Sequence, residues 1–166
     1  MNNEIEIIKG DALELATGVL VHGCNTEGVM GSGIARGVKT RYPNVYEIYK
    51  QAQRENGLKL GSCTIGVARD NLYIVNAITQ TLTLNTTQFE RLYPVSYDAI
   101  ARCFNIVNTA MNQIDPEFDM NLCFPKIGAV RGGGNWNVIQ EIIKSEVSPQ
   151  RKKILYVIDE EPADCR

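Results

Sequence analysis

The chain has no long apolar run, only one histidine and no surplus of charge of either sign. None of its apolar segments approaches the roughly 20 residues that a membrane-spanning helix needs. The N-terminus, MNNEIEIIKG, is too acidic and too short in its apolar part for a signal peptide. A net charge of −2 provides no general attraction for nucleic acid or for an anionic membrane. We therefore expect a cytoplasmic protein with no nucleic-acid partner and no membrane partner.

Metal-ligand clusters and paired cysteines are missing as well. The five cysteines are odd in number, lie far apart and never form a CxxC motif, so we interpret them as reduced, mostly structural thiols. They are Cys24, Cys63, Cys103, Cys123 and Cys165. Since His22 is the only histidine and no cluster of His, Asp and Cys has metal-ligand spacing, the sequence predicts no metal and no cofactor.

What the chain does contain is a regular alternation of strand-like and helix-like segments. Apolar runs predict strands over residues 5–9, 17–22, 63–68, 72–78, 121–124 and 154–158. Helical spacing predicts helices over residues 34–42, from Pro43 to Gly57, over 97–114 and from Trp136 onward. The segment 79–93 has no clear period and is expected to be a surface connection. This alternation predicts a three-layer α/β/α sandwich in one domain, 1–166, and we expect a monomer.

The stretch VHGCNTEGVMGSGIARGVKTRY, residues 21–42, is the most informative part of the chain. An apolar run leads into Gly28, Gly31 and Gly33, and apolar residues from Ile34 onward follow helical spacing. The glycine-rich turn therefore delivers backbone N–H groups to a helix N-terminus, which favours an anion, most often phosphate. The alternative is that the glycines form only a tight turn between a strand and a helix.

A second glycine-rich turn, PKIGAVRGGGNW at residues 125–136, also follows an apolar segment and precedes a helical pattern. Open α/β sheets bind ligands at the carboxyl ends of their strands, so the two turns together predict two walls of one cleft. Lys126 and Arg131 are candidates for stabilising phosphate charge, although both side chains are equally compatible with simple solvation.

Three motifs in this order resemble a macro domain: G-D-A-L at residues 10–13, H-x-C-N-x-x-G-x-x-G-x-G-I-A at 22–35, and P-x-I-G followed by G-G-x-W at 125–136. The chain is most similar to the branch that contains ADP-ribose 1″-phosphate phosphatases and the hydrolases that remove ADP-ribose from glutamate side chains. The resemblance covers nearly the whole chain. It implies a mixed, roughly six-stranded sheet between helices, with ADP-ribose lying across the strand C-termini.

The resemblance also implies roles for individual residues. Asp11 would accept a hydrogen bond from the adenine amino group, with the Ala12 backbone beside it, unless it only caps the turn after the first strand. Asn25 would bind the hydroxyls of the distal ribose, since an amide both donates and accepts. The residues that would surround the diphosphate are Gly31, Ser32, Gly33, Ile34, Gly128, Ala129, Val130, Arg131, Gly132, Gly133 and Gly134.

The catalytic candidates are His22, Asn25 and Asn135. His22 matches the histidine implicated in phosphate removal in the phosphatase branch, and a pKa of about 6.5 suits proton transfer at the mouth of the cleft. The alternative for His22 is a satisfied structural histidine. Asn135 stands in a loop where relatives often carry Asp. Its amide, unlike a carboxylate, cannot act as a general base, although it can position water or cap a helix. Cys24 is interpreted as a structural thiol, because the His-Cys-x5-Arg loop of cysteine phosphatases is absent.

Three functions follow from this resemblance. The first is hydrolysis of the terminal phosphate of ADP-ribose 1″-phosphate, with His22 as acid and base. The second is non-catalytic binding of ADP-ribose or a related NAD-derived nucleotide, and the third is removal of ADP-ribose from modified protein, against which Asn135 counts. The expected partner is thus ADP-ribose, its 1″-phosphate or an ADP-ribosylated protein.

Overall fold

The computed structural model of the chain describes residues 3–31, 33–81, 83–85, 90–92, 95–129 and 132–158. Its strands are β1 Ile5–Lys9, β2 Gly18–Asn25, β3 Cys63–Arg69, β4 Leu72–Gln80, β5 Thr83–Asn85, β6 Glu90–Leu92, β7 Leu122–Phe124 and β8 Lys153–Val157. Its helices are α1 Gly33–Arg41, α2 Pro43–Asn56, α3 Tyr97–Ile114 and α4 Trp136–Glu146, and a 3₁₀ turn, Ala12–Glu14, lies between β1 and β2.

Six strands form one mixed sheet in the order β1-β8-β7-β2-β4-β3. Only β3 runs antiparallel to its neighbour in this sheet, so the other five strands end at the same edge. β2 and β7 are neighbours, with Val19 paired to Leu122 and Leu20 to Cys123. The two glycine-rich loops, which follow β2 and β7, therefore leave adjacent strands at one edge of the sheet.

The residues of β2 show how the sheet is covered on both faces. Val19 and Val21 pack into a buried cluster with residues of α3 and α4. Leu20 faces the other way and packs with Val38 of α1 and Val45 of α2. Successive side chains of β2 point to opposite faces of the sheet, so the strand packs against both helical layers. Burying each such side chain contributes about 1.5–3 kcal/mol to the stability of the fold. The predicted three-layer sandwich with a mixed six-stranded sheet is confirmed.

The helix ends follow from local sequence. α2 begins at Pro43, whose missing N–H is not needed in the first turn, and is followed by Gly57 at φ +74°. Ser96 caps α3, because its Oγ accepts the N–H of Ala99 at 3.1 Å. These boundaries agree with those predicted from the sequence.

The structure differs from the sequence prediction at one strand boundary and in one connection. β2 continues to Asn25 rather than ending at residue 22, because it stays paired with β4 through a register shift between Cys24 and Asn25. The segment expected to be an aperiodic connection contains β5 and β6, which pair with each other antiparallel and supply backbone hydrogen bonds that composition does not reveal. Within the described residues, no helix is both long and apolar enough to cross a bilayer.

Candidate ligand-binding site

Asn25, the last residue of β2, organises the loop that follows it. Its Oδ1 accepts the N–H groups of Glu27 at 3.0 Å and Val29 at 3.2 Å, and its Nδ2 donates to the carbonyl of Val29 at 2.9 Å. The side chain is 4% exposed. The sequence predicted an amide that both donates to and accepts from a ligand. In the structure the oxygen serves the loop, so the remaining N–H of Nδ2 is the part of the amide suited to a ligand.

Helix α2 holds the same loop from the side. Tyr49 donates its hydroxyl to the backbone carbonyl of Asn25 at 2.6 Å. Lys50 Nζ donates to the carbonyl of Gly28 at 3.2 Å, and Gln53 Nε2 donates to the carbonyl of Glu27 at 3.0 Å. Sequence reasoning missed all three helix residues. Their spacing of i, i+1 and i+4 puts them on one side of α2, but nothing local indicates that this side faces the loop.

The β2–α1 loop ends at the N-terminus of α1. Gly31 is exposed, and among the described residues a Cβ built on it would meet the Val29 side chain alone, at 3.5 Å. Gly33 starts α1 with φ +59°, a backbone conformation that glycine adopts without strain. The first turn of α1 has no acidic side chain to offset its partial positive charge. Ser32 lies outside the described residues, and Ile34 packs into the apolar cluster beneath the loop.

The glycines of the second loop divide into two kinds. A Cβ on Gly132 or Gly134 would lie 2.6 or 2.8 Å from the carbonyl oxygen of Gly128, and each would also press on Val95. The Gly134 N–H donates to that same carbonyl at 2.9 Å, so these glycines let the loop fold on itself. Gly133, at φ +69°, has no atom of the described residues within 4 Å of its Cβ position. Val130 and Arg131 lie outside the described residues.

Asn135 has a capping role in this structure. Its Oδ1 accepts the N–H of Asn137 at 2.9 Å at the start of α4, and its own N–H donates to the hydroxyl of Tyr97 at 2.9 Å. Capping was one of the two roles that the sequence left open for this side chain. Ala129 and Lys126 belong to the same loop, where the Ala129 N–H donates to the Lys126 carbonyl at 3.1 Å.

Asp11 lies at the carboxyl end of β1, on the same edge of the sheet. One carboxylate oxygen accepts the N–H of Leu13 at 2.9 Å and so caps the 3₁₀ turn. The residue is exposed, whereas Ala12 beside it is buried. Asp11 therefore caps the turn, which was the alternative role that the sequence left open, and its side chain is exposed at this edge.

His22 does not lie at the mouth of a cleft, and that expectation was wrong. Its side chain is 0% exposed and faces the α2 side of the sheet. Asn76 of β4 donates Nδ2 to the carbonyl of Val45 at 3.1 Å and to Thr64 Oγ1 at 3.0 Å, which leaves its Oδ1 to accept from His22 Nε2 at 2.6 Å. Burial lowers the pKa of His22 from 6.5 to about 4, although the hydrogen bond to Asn76 opposes the shift. His22 is thus neutral at pH 7.

Cys24 is the other titratable group at the end of β2. It is 2% exposed, and its Sγ lies 3.7 Å from His22 Nε2. Burial raises the pKa of this thiol well above its ordinary value, so it is not a thiolate at neutral pH. The position fits the structural thiol that the sequence predicted. In the described part of the chain, no three His, Cys, Asp or Glu side chains are grouped as metal ligands would be.

Comparison with proteins of known sequence gives relatives that cover this chain to different extents. No family model matches. The uncharacterized 17.5 kDa protein in the tk-vs intergenic region of Enterobacteria phage T4 is 30% identical over 170 residues, which cover 95% of this chain and 97% of the phage protein. A DNA ADP-ribosyl glycohydrolase of Thermus aquaticus is 24% identical over 84% of this chain, which spans 37% of that protein. An ADP-ribose 1″-phosphate phosphatase of Scheffersomyces stipitis is 36% identical, but over 59 residues, 32% of this chain and 34% of the phosphatase.

Solved structures share the complete fold. A protein of unknown function from Bacteroides thetaiotaomicron matches 93% of this chain and 98% of its own with a TM-score of 0.76 and 26% identity. The macrodomain of Mycobacterium tuberculosis DarG matches with a TM-score of 0.75 and 22% identity, covering 96% and 99% of the two chains. Thermosipho africanus DarTG in complex with ADP-ribose matches with a TM-score of 0.71 and 18% identity, covering all of this chain and 44% of that one. The sheet order and these likenesses agree: the chain has the macrodomain fold.

Proposed function

We propose that this protein binds ADP-ribose at the edge of the sheet where β2 and β7 end. The observation that supports this most is the adjacency of the two glycine-rich loops, in each of which the described side chains leave a glycine backbone uncovered, at Gly31 and at Gly133. Uncovered backbone beside a helix N-terminus suits a diphosphate, which binds N–H groups and a positive helix end. The structural neighbour from Thermosipho africanus, described in complex with ADP-ribose, has the same fold.

The ligand is proposed to lie along the strand ends. Asp11 at the end of β1 would accept a hydrogen bond from the adenine amino group. The backbone at Gly31, Gly33 and Ile34 would bind the diphosphate, with Gly133 and its neighbours on the other side. Asn25 would donate its remaining N–H to the distal ribose. In this arrangement glycine backbone rather than basic side chains holds the phosphates, which fits a chain whose net charge is −2.

The close approach of ligand to Gly31 leads to a prediction with a matched control. Gly31→Val should fold normally, because the added Cβ meets only Val29 at an ordinary distance, but its branched side chain should block the diphosphate and weaken ADP-ribose binding at least about 30-fold, or about 2 kcal/mol. Gly132→Ala should instead lower the unfolding free energy by about 1–3 kcal/mol, since its Cβ lies 2.6 Å from the Gly128 carbonyl oxygen. Calorimetry and thermal melts separate the two effects. Equal ADP-ribose affinity in Gly31→Val and the wild type would show that this loop is not the binding surface.

Hydrolysis of ADP-ribose 1″-phosphate is the second candidate function. The 59-residue match to a phosphatase favours it, and so does the shared fold. The position of His22 counts against the proton-transfer role first expected for it, because a fully buried ring with a pKa of about 4 neither touches a ligand at the sheet edge nor titrates near pH 7. Asn135, or a water bound by the loop, is then the next place to look for the chemistry.

One assay separates binding from turnover. We expect titration calorimetry to detect ADP-ribose at micromolar to millimolar concentration, and AMP more weakly because it lacks the second phosphate and the distal ribose. The same protein is then incubated with ADP-ribose 1″-phosphate in the presence of a chelator, and released inorganic phosphate is measured. Release that persists with chelator and is unchanged in His22→Gln supports a metal-independent phosphatase that does not use His22. A fall of about 10²–10⁴ in turnover with ADP-ribose affinity intact would restore His22 to the chemistry.

A further inference from the structure

We propose that Tyr49 is a positioning residue for the ligand, which it does not touch: its buried hydroxyl fixes the end of β2 and, through Asn25, the shape of the β2–α1 loop. The inference rests on the proposed function in one respect, since the loop is taken to bind the diphosphate of ADP-ribose. Its structural part, the control of loop shape, stands on the contacts alone.

Tyr49 carries a polar hydroxyl in a fully buried, apolar environment, which a residue that only filled space would not need. The ring is 0% exposed and belongs to an apolar cluster with Cys24, Met30 and Ile78. Phenylalanine would fill that space without burying a polar group. The buried hydroxyl has a partner, since it donates to the Asn25 carbonyl at 2.6 Å, and it also lies 3.1 Å from Asn25 Oδ1.

The contact occurs where the sheet stops controlling the backbone. The ladder between β2 and β4 shifts register between Cys24 and Asn25, so the regular parallel pairing is interrupted at that point. The Tyr49 hydroxyl supplies a donor to the Asn25 carbonyl at this interruption. From there the Asn25 side chain sets the loop by accepting the N–H groups of Glu27 and Val29. The Tyr49 hydroxyl therefore fixes the position of the Asn25 backbone, from which the Asn25 side chain reaches the loop.

Two further residues of α2 support the same interpretation. Lys50 and Gln53 donate to the carbonyls of Gly28 and Glu27, and Lys50 Nζ also donates to Gln53 Oε1 at 2.7 Å. Gly28, at φ +78°, lies so close to the helix that a Cβ would be 2.2 Å from Gln53 Oε1. Three loop carbonyls are thus drawn toward α2, while Gly31 at the far end of the loop stays uncovered.

The test is Tyr49→Phe, with Tyr46→Phe on the same helix as the control. Tyr46 lies under the ammonium of Lys39, 4.7 Å from its ring centre, and its ring packs on the same apolar cluster as Tyr49. The loop hydrogen bonds described above do not involve its hydroxyl. We expect Tyr49→Phe to weaken ADP-ribose about tenfold, while AMP, which lacks the distal ribose and one of the two phosphates that meet this loop, weakens by less than about twofold. A purely structural loss would weaken both ligands alike. Tyr46→Phe should change neither affinity.

A second readout needs no ligand. Amide hydrogen exchange at Glu27 and Val29 should be about tenfold faster in Tyr49→Phe than in the wild type, and unchanged in Tyr46→Phe. Unchanged exchange in Tyr49→Phe overturns the positioning role even if the wild type binds ADP-ribose. Faster exchange in a protein that never binds ADP-ribose leaves loop control intact and refutes the proposed function instead. Should Tyr49→Phe fail to fold, Gln53→Ala must accelerate exchange in the same loop, and normal exchange there counts against the proposal.

Discussion

Asn25→Ala is expected to weaken ADP-ribose binding by about 100-fold, because Asn25, the last residue of β2, holds the loop that follows it. The substitution removes the acceptor for the N–H groups of Glu27 and Val29 and the donor to the Val29 carbonyl. Each backbone group left without a partner costs about 1–3 kcal/mol. A 100-fold weaker affinity corresponds to about 2.7 kcal/mol of binding free energy, which lies within that range. Titration calorimetry at constant salt measures the effect.

Asn25→Asp is the matched variant. A carboxylate still accepts from Glu27, Val29 and the Tyr49 hydroxyl, so both loop amides should keep their acceptor. It cannot donate to the Val29 carbonyl as the amide does, and it adds negative charge beside a diphosphate. We expect Asp to abolish binding with the Glu27 and Val29 amides still protected from exchange, whereas Ala loses binding and protection together. If Asn25→Ala bound ADP-ribose as tightly as the wild type, the loop would not be part of the site.

Acidification is expected to destabilise the protein through His22. The pKa of His22 is 6.5 in the unfolded chain and about 4 in the folded one, so between these values the unfolded state binds a proton that the folded state does not. The stabilising contribution is therefore complete above pH 6.5 and is lost as the pH falls toward 4. A depression of this size corresponds to about 3 kcal/mol at 25 °C.

His22→Gln provides the comparison for this pH dependence. Glutamine has no titrating group, and its amide can donate to Asn76 Oδ1 in place of the ring. Urea denaturation of both proteins between pH 7 and pH 4 gives the difference directly, and carboxylates such as Asp115 contribute equally to both. We expect the wild type to lose about 3 kcal/mol more than the variant over this range. Parallel profiles would mean that the folded protein accommodates a protonated His22.

The fold and the place of the site were accessible from the sequence because both depend on local patterns. The continuous apolar run of β2 indicates a strand buried on both faces, and the glycines after β2 and β7 mark the two turns. That these turns form one cleft was predicted from where open α/β sheets place their ligands. The pairing of β2 with β7 was not predicted, since the sheet order depends on contacts between distant segments such as Leu20 and Cys123.

What escaped prediction depends on side chains that meet only in the folded chain. His22 looked suited to proton transfer because its ordinary pKa is known, yet its actual pKa is set by burial under α2 and by Asn76, 54 residues away. Arg151 is 0% exposed and pairs with Asp115, although a charged residue before a strand is normally read as solvated. Tyr49 gave no signal beyond an apolar position on a helix. In each case a partner remote in sequence decides the role.

The most direct measurement of the central claim is a titration of the isotopically labelled wild type with ADP-ribose, followed by amide chemical shifts. The binding account predicts that the largest changes fall at Gly31, Gly33 and Gly133 and at the ends of β2 and β7. Another concave surface is the groove between α3 and α4, lined by residues such as Val138 and Ile142. Shifts confined to that groove, or no shifts at millimolar ADP-ribose, would contradict the assignment of the two glycine-rich loops as the ligand site.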